Sequence, residues 1–325
     1  MVVSAISIVA VILCIIALGI LLARLGWLGE KESALLAKLT TKVALPLMVV
    51  SNMYKYFTHD SLVQNASGIA VSMLSIAGLI LLGLPVARLA RVPANRRGVF
   101  ISMFAFSNSV FIGVPVSTAL FGEEAVGFAL LYYIANTSIF WSVANSMIIS
   151  DAKGKFDVIA GGREVRTQPR AFFARVLPLP LIAFLVCAVL IYLRIPLPEF
   201  VLDAAGYVGN MVTPLSLIYT GAVLMRMIRM GRFQWHWDYI VVVLGRFFLA
   251  PAAILGISLL FPTIPMLMRS ALIVQASMPV MANIAIVAGS EGADSGYAAG
   301  GMVLTTILTA AFLPLLMMAM EAGWF

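Results

Sequence analysis

In "FSNSVFIGVPV", residues 106–116, an amide stands between two hydroxyls inside an apolar run, and a proline follows seven residues after the amide. Ser107, Asn108 and Ser109 are neutral hydrogen-bonding groups. Pro115 lacks an amide hydrogen, and its ring clashes with the carbonyl four residues back, so it is expected to break or kink its helix. A second run, "QASMPVMAN", residues 275–283, has Gln275 and Ser277 ahead of Pro279, and Asn283 one turn after it. In hydrocarbon, broken backbone must be buried in protein or line a wet cavity. Half-helices that start after each break would aim free amides and positive dipole ends at their meeting point, which favours an anion without an arginine in the pocket. The same side chains could instead hold helices together, as polar residues in membranes often do.

Two further groups stand near this chemistry. Tyr133, Asn136 and Thr137, in "LLYYIANTSIFWSVANS", could extend the site or serve as interhelical contacts. Arg246 is the one charge well inside an apolar run, where it would cost about 2.5–3.5 kcal/mol on insertion scales. It either has a structural role or snorkels to the nearer interface, or it attracts anions from an inward vestibule. The acidic residues fall in loops or at span ends, and His59 and His236 lie near loops, so no mid-membrane proton relay is expected. There is no HExxH pattern, intramembrane aspartate pair or Cys–His pairing, so no enzyme, metal or cofactor is expected. Cys14 and Cys187 sit in separate apolar runs and form no disulfide framework.

The elements that must position these residues are membrane spans. Of 325 residues, 62% are hydrophobic and 11% charged, against about 25% charged in a typical soluble domain. Runs of about 20 apolar residues fall near 2–23, 36–53, 66–87, 99–121, 125–150, 171–193, 200–225, 238–261, 269–289 and 296–320. No basic residue precedes Arg24, so the first run reads as a retained span rather than a cleaved signal. Seventeen of the 21 basic residues fall after the first, third, fifth and seventh spans, and Lys55, Arg194 and Arg269 fall on the other side. That bias orients the chain with both termini outside. The basic clusters lack aromatic interleaving and mark topology rather than nucleic-acid binding. Residues 1–150 form a first set of five spans, 151–170 a short basic cytoplasmic loop, and 171–325 a second set. An odd number per set makes the second enter the membrane inverted. "KVALPLMVV" around Pro46 matches "NMVTPLSLI" around Pro214, and Pro115 matches Pro279, as expected of an inverted repeat. Asn52 and Thr213 lie beside the first of these proline pairs.

The segments "SNSVFIGVPVSTALFGEEAVGFALLYYIAN" and "QASMPVMANIAIVAGSEGADSGYAAGGMVLTTILTAAFLPLL", together with "LGRFFLAP" at 244–251, resemble the signature segments of the auxin efflux carrier family. The likeness is strongest to its bacterial malate and malonate permease-like members and covers essentially the whole chain. It implies an all-α integral membrane fold of ten helices, shared with bile-acid sodium symporters and sodium/proton antiporters, in which helices four and nine cross at their prolines. Asn108, Pro115, Pro279 and Asn283 would then lie at or near the crossover. The implied activity is secondary transport of a small organic anion by an elevator-like motion, by uniport or exchange, in a bacterial inner membrane. A homodimer is implied by the same likeness. A sodium-coupled symporter and a carboxylate sensor are the alternatives. Ser107 and Val110 replace glycines common in the family, and the short central loop departs from the plant carriers.

Overall fold

The computed structural model describes residues 2–153, 179–229 and 234–322. Most of the basic loop expected at 151–170, the opening of the run at 171–193, and Arg232 lie outside the described residues.

Apart from one isolated bridge, regular structure among the described residues is helical. Helix α1 (Val2–Arg24) carries no charge until its last residue. Helix α2 (Glu30–Leu39) passes through a π turn at Thr40–Ala44 into α3 (Leu45–Tyr56), and α4 (His59–Leu89) follows. Helices α5 (Arg97–Ala105) and α6 (Val114–Phe121) are parts of one interrupted unit. Helix α7 (Glu124–Ile139) runs through a π turn into α8 (Asn145–Ala152). After α9 (Leu179–Tyr192) come α10 (Glu199–Gly209), α11 (Val212–Arg229) and α12 (Tyr239–Leu244), which continues through a π turn into α13 (Ala250–Ser258). The chain closes with α14 (Met266–Ala276), α15 (Ala282–Glu291) and α16 (Ser295–Glu321). Among the described residues, six helical units are long and apolar enough to cross a bilayer. Leu81, Val189 and Phe248 each stand more than half exposed, as side chains facing lipid do. The chain is an all-helical multi-pass membrane protein.

Of the two prolines expected to break their spans, Pro115 does not and Pro279 does. Pro46, Pro115 and Pro251 each occupy the second residue of a helix that directly follows a π turn, at Thr40–Ala44, Ser109–Gly113 and Gly245–Leu249. A π turn bonds each amide one residue further back, so it absorbs the carbonyl clash and missing donor that a proline brings. The expectation that Pro115 breaks its span is therefore corrected. The helix runs on from Ser109 to Phe121, and the interruption lies at Phe106–Asn108. In the second run the interruption does contain Pro279.

Loop contacts sort into two ends. At one, the Asp151 carboxylate accepts the Gly98 and Val99 amides at 2.9 and 2.8 Å, capping α5 from the end of α8. There too Arg96 pairs with Asp294 at 2.7 Å and meets His236 at 3.4 Å. Arg229 donates to the Arg24 carbonyl at 2.9 Å, joining the ends of α11 and α1. At the other, Lys55 pairs with Glu123 at 2.6 Å, and Tyr54 donates to the Ile195 carbonyl at 2.9 Å.

Helices α1 and α11 pack along each other because both present glycine. A Cβ on Gly221 would overlap the Ile16 carbonyl oxygen, and one on Gly19 the Ile218 carbonyl oxygen. Neither neighbour is a side chain that can move aside. Gly221→Val is therefore expected to cost about 1–3 kcal/mol or more by overpacking, read as a lower thermal midpoint in detergent. Gly78→Ala, into open space, should hold or slightly raise that midpoint. Equal midpoints for the two variants would refute the close-packing account.

Candidate functional site

The two interruptions cross and complete each other. Phe106 leaves the helix in an extended conformation, φ −105° and ψ 130°. The Asn108 amide donates to the Pro279 carbonyl at 2.8 Å, and the Met281 amide to the Phe106 carbonyl at 3.2 Å. Ser107 and Val280 form the resulting antiparallel bridge. Serine and asparagine offer the backbone alternatives to helical bonding, which is why the chain opens here and not at Pro115. The Asn108 side chain then caps the helical run that begins at Ser109, accepting the Phe111 amide at 3.3 Å.

Neighbouring helices fix the crossing. Asn136, fully buried on α7, donates to the Ser107 carbonyl at 3.0 Å and accepts the Ser107 amide at 3.3 Å; its Nδ2 also lies 3.4 Å from the Ser109 hydroxyl. Thr305 on α16 accepts the Val280 amide at 3.1 Å. Each broken segment is thus held by one polar side chain from the helix beside it.

Arg246 supplies the charge balance. It is fully buried, so it neither snorkels nor faces a vestibule; of the expectations for it, the structural role is the one its contacts match. Its guanidinium donates to the Ala105 carbonyl at 2.9 Å, to Phe104 at 3.4 Å, to Met278 at 3.2 Å and to Ala276. These carbonyls lie in the last turn of α5 and at or just beyond the end of α14, where no further helical amide reaches them. Each helix C-terminus carries about −0.5 charge and each N-terminus about +0.5. One arginine offsets the two negative ends. The two positive ends, at Ser109 and Ala282, remain uncompensated, leaving roughly one net positive charge at the crossing.

Those positive ends border a cavity of about 610 Å³. Its polar wall carries Ser107, Asn108, Ser109, Thr137 and Asn283, with Tyr133 beside them. Ser107 Oγ is buried and has no partner among the described residues. Phe111 and Tyr219, with ring centroids 4.7 Å apart, form part of the apolar wall with Trp141 and Ile286. Lys38, Thr41 and Lys42 line the side toward α2, and Leu179 and Pro180 the start of α9. Among the described residues no acidic side chain lines this cavity.

Of the residues singled out in the sequence, Asn108, Ser109, Tyr133 and Asn283 therefore share one wall. Asn136, Pro115, Gln275, Ser277 and Pro279 are buried and stand off it. Gln275 donates to Ser117 Oγ at 3.1 Å, and its Oε1, beside Gly113, has no partner among the described residues. Ser277 closes the last turn of α14, donating to the Ile273 carbonyl at 2.8 Å. Sequence reading missed Lys38 and Lys42, which it treated as topological charges. The available signal was their spacing: four residues apart, inside the run 36–53, they share one helix face. Asn52 and Thr213 line a separate cleft of about 550 Å³ with Glu123, Glu199 and Asp203. There the hydrogen bond from Lys55 holds the Glu123 carboxyl below its ordinary range.

Comparison with known proteins places this geometry. The family described as membrane transport protein matches residues 4–317. A protein of Methanothermobacter thermautotrophicus named as an uncharacterized transporter is 27% identical over 313 residues, covering 94% of each chain. A match over nearly the whole length, on a chain that crosses two interrupted helices beside a polar cavity, settles the family: this chain belongs to the membrane transport protein family, the auxin efflux carrier family that its two broken segments resemble.

Proposed function

We propose that the chain is a secondary transporter that moves small organic anions, mono- or dicarboxylates such as malate or malonate, by alternating access. The observation that carries this reading is the cavity at the crossing. Among the described residues it is bordered by two helix N-termini and two lysines, contains a buried hydroxyl with no partner, and has no carboxylate on its walls. A carboxylate would accept from Asn108, Ser107 and the first amides of two helices, and would meet the residual positive charge left after Arg246 neutralises the opposite helix ends.

The packing supports an inverted repeat of two five-helix halves. Helix α1 lies along α11, and α9 along α3, the exchange of partners that a twofold relation between halves requires. Helices α1–α3 and α9–α11 form one group in this reading, and the crossing with its neighbours forms the other, which moves. The two clefts, one lined by Lys38 and Lys42 and one by Glu123, Glu199 and Asp203, suit access from alternate ends. Helix α1 ends and α16 begins at the basic end. With that end cytoplasmic, both termini lie outside a bacterial inner membrane.

The test is uptake into sealed proteoliposomes under an imposed membrane potential, with malate, malonate, succinate and citrate offered in turn in sodium-free buffer. A saturable current that Asn108→Ala lowers at least about tenfold, roughly 1.4 kcal/mol of lost binding, is expected. A current that appears only with a sodium gradient would convert the reading to symport. Absence of flux under every gradient, with ligand still raising the thermal midpoint, would replace transport by sensing.

A further inference from the structure

We infer that Lys38 and Lys42 receive the second carboxylate of a dicarboxylate and so set the site's preference for two charges over one. The inference rests on the transport reading and adds residues to it. At the crossing, one arginine and four helix ends sum to roughly one positive charge, which one carboxylate neutralises. The lysines are a separate positive pole of the same cavity, contributed by α2 and its π turn rather than by the crossing. They stand one helical turn apart and reach the cavity from one face. Neither has an ion-pair partner among the described residues, where the ion pairs are Lys55–Glu123 and Arg96–Asp294. Among the described residues no acidic side chain lines the cavity, and a ligand carboxylate would supply the counter-charge.

The wall between the poles fits the rest of such a molecule. Phe111, Tyr219 and Ile286 are apolar surface that a short hydrocarbon chain can cover, while its two ends stay in polar surroundings. A monocarboxylate would satisfy the helix ends and leave both ammonium groups without a partner. The difference between the two substrates is therefore one carboxylate at the lysines, which is how a site discriminates by charge. The lysines and the crossing lie in different helix groups, so their juxtaposition belongs to the arrangement open toward Lys38 and Lys42. The preference should be strongest for substrate presented at that end.

The experiment compares kcat/KM for dicarboxylates and monocarboxylates of equal carbon number, malonate with propionate through adipate with hexanoate. It uses the full-length protein in liposomes oriented either way. Wild type is expected to favour the dicarboxylate at least about tenfold at one chain length. In Lys38→Gln/Lys42→Gln that ratio should fall at least about tenfold, more from the lysine-side face, and Lys38→Arg/Lys42→Arg should restore most of it. Thermal midpoints in detergent, with and without malonate, confirm that each variant is folded. A double-Gln variant that loses both substrates equally, or a wild type with no preference, would overturn the lysine assignment while leaving Asn108-dependent anion transport intact. A wild type that moves neither class would overturn both readings together.

Discussion

Arg246→Met is expected to destabilise the folded protein by about 3–5 kcal/mol, the range found when one partner of a buried charged contact is removed. Methionine keeps much of the side chain's reach and removes every donor. Carbonyls of Phe104, Ala105, Ala276 and Met278 would then face each other in a dry interior, each unsatisfied group costing about 1–3 kcal/mol. Relief of the buried guanidinium's desolvation, several kcal/mol in effect, offsets part of this sum. It cannot offset the two helix C-termini that would point their negative ends together without a cation. Arg246→Lys keeps the charge and loses the planar spread of donors, so it should fall between the two. Scanning fluorimetry in detergent measures the order directly. A methionine variant that melts with wild type would show that the crossing does not depend on this charge. A second consequence separates the electrostatic role from packing: surviving Arg246→Lys protein should retain anion transport, because the positive ends at Ser109 and Ala282 are still uncompensated.

The gap between sequence and structure has a physical form. The apolar runs, the two polar interruptions and the family likeness are legible because hydropathy and side-chain type act locally. The position of the first interruption is not, because Pro115 advertises a break that the π turn at Ser109–Gly113 absorbs. The actual opening, at Ser107 and Asn108, is written in weaker letters, as side chains that compete with the backbone. Arg246 shows the limit more sharply. Its depth along a single helix leaves a structural role, snorkelling and a vestibule all open, and its partners come from α5, α14 and the residues after it, more than 25 positions away in sequence. No local pattern records that two helix ends converge on one side chain. The lysines at 38 and 42 were counted for topology, which uses only their side of the membrane. What they line depends on α2 standing beside the crossing.

Asn136→Ala and Asn108→Ala are expected to separate the group that builds the crossing from the group that faces the ligand. Asn136 satisfies both the amide and the carbonyl of Ser107 at 3.3 and 3.0 Å, with no exposure of its own. Its truncation leaves the buried Ser107 amide without a partner and the Ser107 carbonyl with the Ser109 amide alone, about 1–3 kcal/mol if no water enters. Asn136→Ala should thus lose thermal stability and transport together. Asn136→Gln should not rescue it, since one more methylene displaces the amide from both partners. Asn108 also contributes to stability, as the cap on Phe111, and losing a cap costs about 1 kcal/mol. That is at the low end of the Asn136 effect, so Asn108→Ala should be at least as stable as Asn136→Ala while its flux falls. Paired midpoints and initial rates decide the assignment. If Asn108→Ala proves the less stable of the two, the cap holds the break open and Asn136 is secondary. If Asn136→Ala keeps its midpoint but loses flux, Asn136 acts on the ligand rather than on Ser107, and the clamp described at the crossing is wrong.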